Sequence, residues 1–140
     1  MPSRLERYKQ TLRRVLKRDL IQGDGVSEEA LAWAESGLGQ KLPKALREYY
    51  LIGGNADDAN LMQNILFQPE EFVVEDGYLV FMEEHQAVVH WGIPLDHLHE
   101  SDPQVWQRVN GPEPAWYSEE LPFSSFMIES LAWLAGLEID

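Results

Sequence analysis

The change of hydrophobic period near residue 61 constrains this chain more than any other feature. Before it, apolar residues recur at helical spacing; after it, β-branched and aromatic residues form short runs separated by turn signals. "FVVEDGYLVFM" sets Asp76-Gly77 between two such runs, a strong two-residue hairpin signal. "YLVFMEEHQAVVHW" repeats the arrangement, with Glu84, His85 and Gln86 near the turn, so three strands form a meander. A further pair, Val105 to Val109 and Ala115 to Ser118, is joined by the proline- and glycine-rich "NGPEP". The closing "PFSSFMIESLAWLAG" spaces Phe123, Phe126, Met127, Leu131 and Leu134 helically and ends at Gly136, with Ser124 and Ser125 opening that helix.

The first third reads as helices. Residues 3–21 carry Leu5, Tyr8, Leu12, Val15 and Leu16 on one side and seven basic residues on the others. Such a helix can lie on a membrane or on nucleic acid, but its modest apolar stripe favours docking on its own acidic domain. Gly-Asp-Gly at 23–25 breaks the chain, and Ser27 caps a short helix with Leu31, Ala34 and Leu38 inward, closed by Gly37 and Gly39. Next, Pro43 suits a first helical position, and Leu42, Leu46, Tyr49 and Tyr50 share one stripe. Gly53 and Gly54 follow that stripe, where positive φ would let them cap the last carbonyls. A phosphate loop needs the opposite order, strand before glycines before helix. The expected fold is α+β: N-terminal helices, an antiparallel meander of about five strands, and a C-terminal helix packed on the sheet. At 140 residues the chain has the size of one domain, with residues 1–22 as its docked basic helix.

Charge is divided as sharply as period. Net charge is −13, yet ten of the eleven Lys and Arg residues lie in positions 1–47, beside six acids. Residues 48–140 hold one base, Arg108, against eighteen acids. A body this acidic repels nucleic acid and attracts basic surfaces, besides keeping a protein soluble. No apolar run approaches the roughly 20 residues that span a bilayer, and "MPSRLERYKQ" lacks the apolar segment of a secretory signal. The absence of cysteine excludes disulfides, thiolate metal sites and cysteine nucleophiles, and fits a cytoplasmic location.

Chemistry-bearing motifs are weak. His85, His90, His97 and His99 show no HExxH pairing, and no metal or other cofactor is expected. "NADDANLMQN" starts like a calcium loop but has Asn60 in place of the required glycine and Leu66 in place of the final glutamate. Acidic doublets such as Glu83-Glu84 point to opposite faces of a strand, so none supplies a glycosidase pair by itself. No GxSxG elbow surrounds any serine. The five tryptophans are first of all core residues, with interface anchoring as their second use.

The order of pieces resembles the SUKH superfamily, the group containing the fungal cell-wall-synthesis regulator and many bacterial toxin-immunity proteins. "SEEALAWAESGLGQKLP" leads into "LPKALREYYLIGGN", followed by "GYLVFMEEHQAVVHWGIP", "DPQVW", "PAWYSEE" and "LPFSSFMIESL", covering roughly residues 26–135. Glu35, Gly39, Leu42, Pro43, Gly54, Asp102, Pro103 and Val105 occupy the motif places, while Asn55 follows the glycines where the family usually has Asn-Gly. The resemblance implies a non-enzymatic bacterial protein-binding domain, most often one that neutralises a basic, possibly nuclease, toxin. A regulatory adaptor of the same fold is the alternative, and a small hydrolase with an unrecognised carboxylate or histidine site is the third reading. Glu83, Glu84, Trp91, Asp96, Glu100 and Asp102 are the expected protein-binding residues, because acids crowd around the sheet and its following loop. Neither nucleic acid nor membrane is expected as a partner.

Overall fold

A computed structural model describes residues 2–61, 64–86, 88–134 and 136; of Leu134, expected to face the core, only the backbone is described. Three helices come first: α1 (Arg4–Leu16), α2 (Glu28–Leu38) and α3 (Lys44–Gly53), followed by a single-turn α4 (Asp57–Asn60). The strands are β1 (Asn64–Leu66), β2 (Val73–Glu75), β3 (Tyr78–Glu84), β4 (Val89–Pro94), β5 (Gln104–Val109) and β6 (Ala115–Pro122), and α5 (Phe123–Leu134) closes the chain. All pairings are antiparallel, in the order β1-β3-β4-β5-β6, with β2 sharing the outer edge of β3 beside β1. The architecture is the α+β arrangement expected, with α5 on the sheet and no helix among the described residues long and apolar enough to cross a membrane.

Local chemistry accounts for most boundaries. Ser3 and Ser27 accept hydrogen bonds from Glu6 N and Ala30 N, satisfying donors that a helix start leaves free. Gly39, at φ 74°, ends α2 by donating its N–H to Glu35 O. Asp76 and Gly77 both take positive φ, 55° and 82°, as a two-residue hairpin turn of the predicted kind requires. α1 stops five residues before the expected position 21, because Lys17 turns into the left-handed region at φ 60°.

The paired glycines after α3 work differently from the expectation. Gly53 is the last helical residue, and Gly54 sits at φ −64°, so neither cap depends on positive φ. Smallness is what matters: a Cβ on Gly53 would lie 2.5 Å from Leu12 Cδ1, and one on Gly54 would lie 2.9 Å from Tyr50 O. Gly53 therefore lets α1 press against α3, and Gly54 lets the chain turn back over Tyr50. Pro43 likewise stands one place earlier than expected, as the N-cap with ψ 144° rather than the first helical residue. β1, unforeseen, is three residues long, too short for an alternation pattern to register.

The core lies between the helices and one sheet face. Tyr8 and Leu12 of α1, Leu46, Tyr49 and Tyr50 of α3, and Phe123 of α5 are fully buried against Leu79, Phe81 and Ile93. Edge-to-face rings run from Tyr8 through Tyr49 and Tyr50 to Phe72, with centroids 5.3 to 6.2 Å apart. A bulge between Val80 and Met82 inserts Phe81, so that Phe81 and Met82 both reach the core.

Buried Asp24 fixes the segment between α1 and α2. It accepts bonds from Arg18 at 2.8 and 2.9 Å and from Ile21 N at 2.9 Å, and the Arg18 guanidinium holds its carboxyl below the usual range. A carboxyl whose folded pKa is depressed adds stability above its unfolded value, near 4, and loses it as pH falls toward the folded one. Asp24→Asn should therefore lower the melting temperature at pH 7, with the gap to wild type closing as pH drops below about 4. Melts of both proteins at several pH values check this; a gap that stays constant into acid contradicts it.

Candidate functional site

The structure separates the residues expected to form one acidic patch. Glu83 pairs in register with His90 at the end of the sheet where β3 gives way to β4, whereas Tyr78 pairs with Pro94 at the other end. Asp96, Glu100 and Asp102 follow Pro94, so they stand about 17 Å of strand length away from Glu83 and Glu84. Strand alternation divides the doublet further, with Glu83 on the outer face and Glu84 on the side of Met82 and the helices.

Asp102 has a structural task. Its carboxylate accepts from Ser124 N at 2.9 Å and from Ser124 Oγ at 2.5 Å, securing the first turn of α5. Its neighbours act alike: Ser101 O accepts from Ala45 N in the first turn of α3, and Pro103 O from Phe123 N. The loop thus ties two helix starts to the sheet. Asp102→Ala should cost about 1–2 kcal/mol in denaturant unfolding, whereas Asp96→Ala and Glu100→Ala, both exposed, should stay within about 0.5 kcal/mol of wild type. Equal stability of all three variants would contradict the capping role.

Glu35, Leu42 and Arg47 form a second structural clamp. Glu35 is buried; it accepts from Leu42 N at 2.8 Å and lies 3.1 Å from Arg47 Nη1, while Arg47 also pairs with Glu28. Glu35, Leu42, Asp102 and Pro103 are thus engaged in holding α2, α3 and α5 in place.

The outer face of the sheet, opposite the helices, carries a polar and aromatic network that the sequence did not announce. Tyr78 stacks on Trp116 at 3.8 Å and 9°, joining β3 to β6 across two strands, which requires the sheet to curl toward this face. Trp106 lies beside Tyr78 with ring centroids 6.1 Å apart, and its buried indole N–H finds no acceptor among the described residues. Arg108 reaches Asp76 at 3.2 Å and Glu75 at 3.9 Å and also bonds Asn110, while Trp116 donates to Asp76. His90 Nδ1 stands 2.9 Å from Glu75, with Nε2 3.5 Å from Glu83. A carboxylate–imidazole pair is the kind that orients a general base, but carboxylates approach both ring nitrogens here, and among the described residues no nucleophilic hydroxyl is hydrogen-bonded to the ring. Among the described residues no three His, Asp or Glu side chains converge as a metal would need.

On the helix side, an open groove of about 400 Å³ lies between the sheet and α5. Trp91, Leu121, Phe126 and Trp133 supply its apolar walls, and Glu119 and Glu129 its carboxylates. Trp91, packed against Phe126 at 6.1 Å, donates its indole N–H to Glu119 Oε2 at 2.8 Å. Trp133 is 70% exposed, the most exposed large apolar side chain among the described residues. Asn64, paired in register with Glu84, also lines the groove, and of the expected binding residues Trp91 is the one among the lining side chains. Glu119, Glu129 and Trp133 escaped the sequence reading because their proximity depends on how β6 and α5 close against each other. The only sequence signal was the helical i, i+4 spacing of Glu129 and Trp133.

Taken together, fold and groove define an α+β domain with an acidic, aromatic-lined surface. No family model matches the chain, and no match emerges among curated proteins or solved structures.

Proposed function

We propose that this chain is a non-enzymatic protein-binding domain similar to the SUKH superfamily, acting in the bacterial cytoplasm as an immunity protein that binds and neutralises a basic toxin. The observation that carries the reading is how the charges are used. Arg108, the single base of residues 48–140, is taken up by Glu75 and Asp76. Among the described residues no lysine or arginine is paired with Glu84, Asp96, Glu119 or Glu129. The bases of the first third are partly spent as well, Arg4 on Glu48 and Arg18 on Asp24. The negative field of the sheet and α5 is therefore left for a partner, and a basic toxin that binds polyanions is the complementary surface.

Affinity capture of the tagged chain from its native cell, followed by mass spectrometry, tests this. The expected result is one stoichiometric protein of net positive charge, whose association slows at least tenfold between about 0.05 and 0.5 M salt. An acidic partner, or association indifferent to salt, overturns the reading.

A further inference from the structure

We propose that the groove between β6 and α5 is a receptor for an arginine side chain of a protein partner, held between the Trp133 indole and the carboxylates of Glu119 and Glu129. This inference rests on the protein-binding reading and names the part of the partner that the groove takes.

The chemistry of the walls selects the occupant. Glu129 and Trp133 are four residues apart on α5, so their side chains emerge side by side on one face of the helix. Both line the groove, with Glu119 supplied by β6. Trp91 already uses its N–H on one oxygen of Glu119, which fixes that carboxylate and leaves Oε1 able to accept from a ligand. No cation among the described residues is paired with Glu119 or Glu129. The negative charge at the groove thus has no counterpart among the described residues, beside an indole that water wets over most of its surface.

A cation over an indole face gains from the ring quadrupole, and a carboxylate beside it adds charge-assisted hydrogen bonds. Arginine answers both features at once: its planar guanidinium stacks on the ring while its edge presents a fork of donors to a carboxylate. Lysine offers a point charge that is more strongly hydrated and does not stack. The apolar remainder of the groove, Trp91, Leu121 and Phe126, suits the methylene stem and an aliphatic neighbour from the same segment. A free anion or an acidic peptide is repelled by the same carboxylates.

The test uses the full chain and a synthetic 12-residue amphipathic peptide with arginines on one face and leucines on the other. Two further peptides replace every arginine by citrulline, its neutral isostere, or by lysine. Titrations are followed through the indole N–H resonances of Trp91 and Trp133 and the backbone amide resonances of the whole chain. The arginine peptide should shift both resonances saturably, with the lysine peptide binding several-fold and the citrulline peptide at least tenfold more weakly. Trp133→Ala and Glu129→Gln, both at solvent-accessible positions, should each weaken the arginine peptide about tenfold while leaving the melting temperature in place. Equal binding of the arginine and citrulline peptides, or wild-type affinity in both variants, overturns the proposal. So do shifts confined to the region of Asp96 and Glu100, although that result leaves the basic-partner reading standing. That reading is decided separately by the identity and salt dependence of the captured protein.

Discussion

Gly25→Ala should lower stability by about 3 kcal/mol, equivalent to a melting temperature reduced on the order of 10 °C. The residue has an ordinary extended conformation, φ −99° and ψ 156°, so backbone freedom is not the reason. The reason is contact: a Cβ at this position would lie 1.8 Å from the carbonyl oxygen of Leu51 and 2.6 Å from its carbon. Those are backbone atoms near the end of α3, and they cannot swing aside as a flexible side chain would. The segment is also pinned on both sides, because Val26 N donates to Tyr50 O at 2.9 Å and Asn55 N to Asp24 O at 2.7 Å. Relieving the clash therefore means breaking those bonds or moving α3. Gly23, two residues away, serves as the control, since a methyl group there would meet nothing within 4 Å. Thermal melts should separate the two alanine variants widely; coincident melts would contradict the close-approach argument.

Asn60→Ala is expected to cost about 2–4 kcal/mol, from one stranded polar group at about 1–3 kcal/mol and one lost hydrogen bond at about 1 kcal/mol. Asn60 is buried; its amide donates to Gly53 O at 2.6 Å, and its carbonyl oxygen accepts from Tyr49 O–H at 2.6 Å. Truncation leaves that phenol in the core without its partner and takes one of two donors from the Gly53 carbonyl, which keeps its bond from Ala56 N at 3.1 Å. Burial already pushes the Tyr49 phenol well above its ordinary pKa, so ionisation offers no escape. Adding Tyr49→Phe to the Asn60→Ala protein removes one stranded group, and the double variant should be more stable than the sum of the two single losses implies. Denaturant unfolding of the four proteins gives that coupling directly, and strict additivity would show that the two side chains do not act as a pair.

These two positions show where sequence reading runs out. Gly25 lies in a Gly-Asp-Gly segment that reads only as a chain breaker, and Asn60 in a stretch that reads as a failed calcium loop. Their roles depend on groups far along the chain, Leu51 for one and Tyr49 and Gly53 for the other. The apolar stripe before Gly53 and Gly54 locates them correctly at a helix end, but not the reason for glycine there. Positive φ is a property of the local turn, whereas the approach of Leu12 to Gly53 exists only once α1 has docked.

The same division runs through the candidate site. Trp91 can be nominated from the acids and aromatics near one hairpin, yet Asp102 from the same group turns inward to hold α5. Linear proximity does not say which face of a strand a side chain takes, or at which end of the sheet a loop emerges.

By itself the sequence determined what local rules govern. Its periodicities specified helices followed by an antiparallel sheet and a last helix; Ser3, Ser27, Gly39 and the Asp76-Gly77 turn set boundaries through bonds made within a few residues. It also settled the separation of basic and acidic halves, since charge is a sum over residues. Only the tertiary structure decided which carboxylates are spent on helix starts and which are left open, and that β6 and α5 enclose a groove with Trp91 and Trp133 in its walls. Those outcomes require segments distant in sequence to pack at one place, and hydrophobic burial, which has no direction, specifies such meetings only through the shape of the whole core.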